Sequence, residues 1–227
     1  MVIEKQRIQV YLCGMYLVKT PGWLRMIYPK LHWKMPDTER AIYLTFDDGP
    51  HPFATPFVLD QLRKYGGRAS FFCVGANAKN NPELLARIKK EGHMLGNHTM
   101  HHVNGWKVAD ELYLQEVEAA AEWLPTGWFR PPYGRIRFRQ ERLLTKQFPS
   151  IKIMMWDVLS GDFDVKLTGE DCAKNVIKHA GAGSVVVFHD STKAWERMQV
   201  ALPLVLAHFS KAGFQFLPLP ATELFNS

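Results

Sequence analysis

The sequence is poor in cysteine. Cys13, Cys73 and Cys172 are odd in number, far apart and free of any C-x-x-C pair. That excludes a disulfide framework and a four-cysteine zinc site, and suits ordinary core thiols in a reducing compartment. Long apolar runs are lacking too. The longest near the N-terminus, Ile8 to Val18, is broken by Gln9 and Gly14 and is too short to span a bilayer. Lys5 and Arg7 before it imitate the charged start of a signal peptide, but no A-x-A-like cleavage site follows, so no cleaved signal is expected. Repeats and linkers are absent, and the 16 glycines and 14 prolines follow no fixed period, which excludes collagen-like and low-complexity classes. Charge excess is small: 28 basic against 22 acidic residues gives +6, which permits an anionic partner without demanding one. No nucleic-acid motif occurs, so a nucleic-acid partner is not expected.

What remains is a chain of 227 residues with 47% hydrophobic content, enough to bury a sizeable core in a single domain. Residues 1–40 differ from the rest. They hold Lys5, Arg7, Lys19, Arg25, Lys30, Lys34 and Arg40 against Glu4, Asp37 and Glu39, with Tyr11, Tyr16, Trp23, Tyr28 and Trp33 among them. Such a segment suits an extension packed across the domain, or a basic, aromatic surface for anionic membranes or glycans. The packed extension is the preferred reading.

From Ala41 onward short apolar runs alternate with helical spacing. Strands are expected at 41–46, 69–74, 94–97, 128–130, 151–156, 184–189 and 214–217. Helices are expected at 56–64, 82–91, 107–124, 140–148, 169–180 and 195–211. About seven strands interleaved with helices argue for a parallel sheet, open or closed into a barrel. Asp47, Asp48, His98, Arg130, Asp162 and His189 fall at or just after the C-terminal ends of these strands, the edge that carries active sites in such folds.

Four segments there carry chemistry. In Thr45-Phe46-Asp47-Asp48-Gly49-Pro50 two adjacent carboxylates can do separate jobs only if the chain turns, and Gly-Pro supplies a turn; helix capping is the plainer alternative. His98-Thr99-Met100-His101-His102 offers histidines at i and i+4, a spacing that brings both rings to one point in a helix or tight turn. Thr99 stands where a zincin glutamate would, which disfavours a metalloprotease, and His101 reads as a surface histidine. In Arg130-Pro131-Pro132-Tyr133-Gly134 two prolines remove two N–H groups, so the Tyr133 amide is the next donor, presented in a defined direction suited to an oxyanion. Arg130 could hold a carboxylate by two parallel bonds. The apolar strand ending at His189, with Asp162 on the preceding strand exit, offers a histidine general acid held protonated by a carboxylate. No G-x-S-x-G occurs, nor a cysteine beside a histidine at a strand exit, so no covalent nucleophile is expected.

These segments resemble the polysaccharide deacetylases, the NodB-homology group that forms carbohydrate esterase family 4. TFDDGP at Thr45–Pro50, HTMHH at His98–His102, RPPYG at Arg130–Gly134, WDVLSGDF at Trp156–Phe163 and VFH at Val187–His189 follow the family's order. The resemblance spans residues 41 to 218 and implies a single-domain α/β fold, a distorted, TIM-related (β/α) barrel, as the catalytic domain over 41–227. It implies one divalent metal, zinc foremost with cobalt or nickel as alternatives, held by Asp48, His98 and His102. It also implies Asp47 as base positioned by Arg130, the Tyr133 amide as oxyanion donor, and His189 oriented by Asp162 as acid. Phe163 stands where the family usually has Trp, and Val187 where it usually has Leu. Both positions line the family's acyl pocket, so acyl specificity stays open. The expected activity is removal of N-acetyl groups from an amino-sugar glycan. A C–N hydrolase acting on a non-sugar amide or cyclic imide is the alternative, and a non-catalytic glycan-binding module a further one. Cysteine usage and the missing signal make the expected location cytoplasmic, with residues 1–40 available for peripheral contact with the inner membrane face.

Overall fold

A computed structural model describes residues 16–222. Lys5, Arg7, Tyr11, Cys13 and the start of the Ile8–Val18 run lie outside the described residues, as do residues 223–227. In chain order the elements are α1 (Gly22–Ile27), β1 (Ala41–Asp47), α2 (Ala54–Lys64), β2 (Ser70–Cys73), α3 (Gly75–Asn80), α4 (Pro82–Lys90), β3 (Met94–Asn97) and α5 (Asp110–Ala121). Then follow β4 (Trp128–Phe129), α6 (Phe138–Gln147), β5 (Lys152–Ile153), β6 (Val158–Leu159), α7 (Gly169–His179), β7 (Val185–His189), α8 (Trp195–Lys211) and β8 (Gln215–Phe216).

The strands pair in parallel in the order β5-β4-β3-β2-β1-β7-β6, with β8 joined to the start of β1. Seven parallel strands thus form a curled half-barrel flanked by helices, as the resemblance implied. Period-2 alternation explains its two faces. Ile42, Leu44 and Phe46 of β1, with Val186 and Phe188 of β7, join the core under α2, α7 and α8, together with Leu59, Cys172 and Leu202. The intervening residues face inward, where Phe72, Met94, Trp128, Met154 and Val185 fill the barrel. Cys73 and Cys172 are buried and free. No helix among the described residues is long and apolar enough to cross a membrane.

The strand expected at 151–156 is cut short, and an unexpected one follows it. β5 ends at Ile153, and a separate β6 begins at Val158 on the opposite edge of the sheet. The four residues between them cross the barrel seam, and the N-terminal segment covers it. Leu159 N–H donates to Val18 O (2.8 Å) and Thr20 N–H to Asp157 O (2.9 Å). Further on, His32 N–H donates to Ile153 O and Met155 N–H to His32 O. Residues 18–32 therefore satisfy backbone groups on both edge strands, which edges left bare would expose. The basic residues of this stretch are engaged with acids, Lys19 and Arg25 with Asp157 and Lys30 with Glu141, and just beyond it Lys34 pairs with Asp37.

Candidate active site and metal centre

Asp47 is the last residue of β1 and stands in register with His189 of β7, so both side chains project from the inner face at the same rung. The next residue, Asp48, has φ 79°. That left-handed step swings its carboxylate away from Asp47, which is how neighbours in sequence come to serve different partners. Neither aspartate caps α2, whose first N–H, that of Ala54, meets His51 Nδ1 at 3.5 Å instead. The turn is pinned from three sides: Asn77 Nδ2 donates to Asp48 O (2.7 Å), Val74 N–H to Gly49 O (3.0 Å), and Gly49 N–H to Asp190 Oδ1 (3.1 Å). A Cβ on Gly49 would meet the Asp190 carboxylate within 2.1 Å, so glycine is required there.

The two histidines converge, but no helix carries them. Thr99 and His102 both have positive φ, 64° and 56°, and the loop is held by Gly75 N–H on Thr99 O and Ala76 N–H on Met100 O. His98 is buried, and its Nδ1–H donates to Arg130 O at 2.7 Å. A carbonyl can only accept, so the Nε2 lone pair faces the site. Burial lowers this imidazole to about 4, which keeps it neutral. Asp48 Oδ1 lies 3.8 Å from His98 Nε2 and 3.1 Å from His102 Nε2. It is buried without a hydrogen bond. Burial opposes its ionisation, yet the surrounding His102, His189 and His98 hold its carboxyl well below the usual range. One donor atom from each of these three residues falls within 4.8 Å of the other two. An orphaned carboxylate oxygen facing two imidazoles is a donor set that fits a divalent cation. His101 points elsewhere, exposed and 2.9 Å from Glu116.

Arg130 is fully buried. Its Nη1 donates to Asp47 Oδ1 (2.6 Å) and Thr45 Oγ1 (2.7 Å), and its guanidinium lies 4.1 Å above the Phe72 ring. The expected pair of parallel bonds to one carboxylate is not formed, because Nε and Nη2 are taken by the carbonyls of Met154 and Met155. Tyr133 follows in a 3-10 turn at φ 60°, its ring 4.6 Å from that of His102.

Asp162 leaves β6, not the strand at 151–156. It is buried; Oδ1 lies 2.7 Å from His189 Nδ1, and Oδ2 accepts the His189 N–H at 2.7 Å. Burial would lower the His189 imidazole, but the Asp162 carboxylate, with Asp48 and Asp47 beyond it, raises it to about 10. Phe163 packs edge-on to His189 at 5.4 Å, and Val187 is buried one inward position below His189. Asp190 was missed at sequence level. It accepts from Gly49 N–H and from the Thr55 hydroxyl, and burial raises its carboxyl to about 8. Its only sequence signal is adjacency to His189.

Comparison with known proteins agrees with this geometry. The polysaccharide deacetylase profile matches residues 34–147. A peptidoglycan-N-acetylglucosamine deacetylase of Bacillus cereus is 33% identical over 191 residues, which cover 82% of this chain and 89% of that one. The chain belongs to the polysaccharide deacetylase family. A chitooligosaccharide deacetylase of Bradyrhizobium is 32% identical over 80% of this chain and 90% of its own. Among solved structures, a peptidoglycan N-acetylglucosamine deacetylase bound to 4-naphthalen-1-yl-N-oxidanyl-benzamide superposes with a TM-score of 0.80 at 30% identity, covering 88% of this chain and 95% of that one.

Proposed function

We propose that this protein is a metal-dependent hydrolase that removes N-acetyl groups from an amino-sugar-containing glycan. The observation that carries the reading is the meeting of three pairings on one sheet edge: Asp48 with His98 and His102, Asp47 with Arg130, and Asp162 with His189. Asp48, His98 and His102 would hold the ion, zinc foremost by donor type. When bound, a divalent ion lowers the pKa of water and polarises an amide carbonyl.

The chain's own groups supply the rest. Asp47 takes a proton from the water as its oxygen bonds to the acyl carbon, and Arg130 keeps that carboxylate aimed. The Tyr133 N–H stabilises the charge that develops on the carbonyl oxygen. As the C–N bond breaks, His189 gives the proton held against Asp162 to the sugar nitrogen, releasing amine and acetate. Phe163 and Val187 flank the acyl group. The similarity to enzymes named for peptidoglycan and chitooligosaccharides supports a glycan substrate.

The test is hydrolysis by purified, metal-supplemented protein of N-acetylated chitooligosaccharides against simple cyclic imides. Turnover of imides alone would replace the glycan reading with the C–N hydrolase alternative, and turnover of neither would leave a glycan-binding module. Elemental analysis adds an independent check: His102→Ala should lose metal and His101→Ala should keep it. Peripheral contact of the N-terminal segment with an anionic membrane face, on the cytoplasmic side, is part of the proposal, supported by exposed Trp23, Met26 and Ile27 on α1. Co-sedimentation with anionic vesicles that is unchanged in a Trp23→Ser/Met26→Ser variant would remove it.

A further inference from the structure

The seam-covering segment also reaches the catalytic edge. By pairing with β6 at Val18 and Thr20, it carries Tyr16 over the loop 160–164, which holds Asp162 and Phe163. The Tyr16 ring packs on Phe163 at 4.8 Å and 59°, and Phe163 in turn meets His189 at 5.4 Å and 79°. Three rings thus run in sequence from the N-terminal segment to the proposed acid. Their separations fall in the range of productive aromatic contacts.

The loop is shaped to receive that tyrosine. Gly161 has φ +85°, and a Cβ there would stand 2.5 Å from the Tyr16 hydroxyl and 2.9 Å from Leu167 Cδ1. Burial first, then the nearby Asp164 carboxylate, pushes the phenol up, so it keeps its proton. Asp164 is itself fixed in the loop, its N–H on Gly161 O at 2.9 Å and its Oδ1 accepting Lys166 N–H at 3.0 Å. Tyr16 therefore packs its ring on Phe163 while its hydroxyl sits over Gly161 two residues earlier, and together these define the height of the Phe163 ring over His189.

We propose that Tyr16 is a positioning residue that holds Phe163 against His189 and so sets the acyl-side wall of the catalytic site. The acyl-wall part rests on the deacetylase reading above. The ring-positioning part does not. Without Tyr16, Phe163 would lose its aromatic partner on the N-terminal segment, keep His189 and the Lys193 ammonium 6.0 Å from its ring, and swing toward solvent. The space beside the acyl group would widen and water would gain access to the His189–Asp162 pair. A hydrophobic wall of this kind discriminates acyl chains modestly, by roughly 10–200-fold for one methylene.

The experiment compares the full chain with Tyr16→Ala, Tyr16→Leu, Tyr16→Phe, Phe163→Ala and the exposed neighbour Leu17→Ala, each carrying isotope-labelled histidine. The His189 ring resonance, assigned with His189→Gln, reports the Phe163 ring through its ring current at fixed pH and metal content. Tyr16→Ala should move that resonance most of the way to its place in Phe163→Ala, with Tyr16→Leu intermediate should the alanine variant fold poorly. Tyr16→Phe should move it little, and Leu17→Ala not at all. In kinetics, Tyr16→Ala should raise the propionyl-to-acetyl ratio of kcat/KM by about tenfold, through KM more than kcat, while Tyr16→Phe restores most of the discrimination. An unmoved His189 resonance in both Tyr16→Ala and Tyr16→Leu overturns the inference whatever the activity. A moved resonance in a protein that hydrolyses no N-acyl sugar upholds the ring positioning and removes the deacetylase reading instead.

Discussion

Two aspartates in this molecule are buried against arginine, and they differ in who can reach water. Asp47 meets Arg130, whose side chain is wholly enclosed, shares the same Nη1 with Thr45, and spends its remaining nitrogens on the carbonyls of Met154 and Met155. Asp157, equally buried, is bound by Lys19 at 2.6 Å, by Arg25 and by the Ser184 hydroxyl at 2.6 Å. Its two cations arrive from the N-terminal segment with 40% and 31% of their side chains exposed. A buried ion pair seldom repays its desolvation in stability. The enclosed Asp47–Arg130 pair therefore makes sense as preorganisation: every degree of freedom of the guanidinium is fixed, and one carboxylate oxygen with it. At the seam, each cation keeps part of its hydration and gives up less on docking. The same chemistry aims a carboxylate in one place and fastens a segment in the other.

Removing the cation from the enclosed pair should have the largest effect. Arg130→Met leaves a buried carboxylate without its partner and should cost about 3–5 kcal/mol of stability, read as a lower urea midpoint with an unchanged slope. Activity should vanish with it. A loss under about 1 kcal/mol, the size of a surface pair, would erase the distinction between the two regions. Asp47→Asn sharpens the contrast from the other side. It should keep metal content and fold while lowering kcat by about 10²–10⁴, the worth of a positioned base. Near wild-type turnover in that variant would show that Asp47 is not the base.

How much of this was legible depended on whether local pattern or distant contact made each feature. The alternation Ile42, Leu44, Phe46 against Tyr43, Thr45, Asp47 announces β1 and the face Asp47 uses. His98 and His102 converge through the tight turn that was one of the two expected routes, not through helical periodicity: two positive φ values turn the loop back on itself. α3, with the sequence GANAKN, has no apolar period, and its first two N–H groups bond to carbonyls of the His98–His102 loop. β6 is two residues long and is defined by partners in β7 and at Val18–Thr20, far off in sequence. Asp162 therefore follows a strand that local pattern does not announce, and not the one at 151–156. Tyr16 meeting Phe163 across 147 positions, and Asp190 bracing Gly49, are likewise products of the fold, visible only once the sheet has curled.

The seam pair should respond more gently, and in a graded way. Lys19→Ala with Arg25→Ala strips both cations from Asp157 but leaves Ser184 as a donor, and water can follow the vacated side chains. The double variant should lose about 1–3 kcal/mol, as for a buried polar group left short of partners. Its metal content should stay at the wild-type level, since neither residue touches Asp48, His98 or His102. Lys19→Ala alone, with Arg25 still in place, should cost no more than about 1 kcal/mol. Part of that should disappear in high salt, because a side chain this exposed is already screened. The decisive comparison is the salt dependence of the two regions. Stability lost through Arg130→Met should be insensitive to ionic strength, whereas that lost through Lys19→Ala should shrink as salt rises from 0.05 to 1 M, a range over which the screening length falls from beyond 10 Å to about 3 Å. Equal salt dependence in both would mean that water reaches Asp47 as freely as it reaches the seam, and the enclosed aiming of its carboxylate would have to be abandoned.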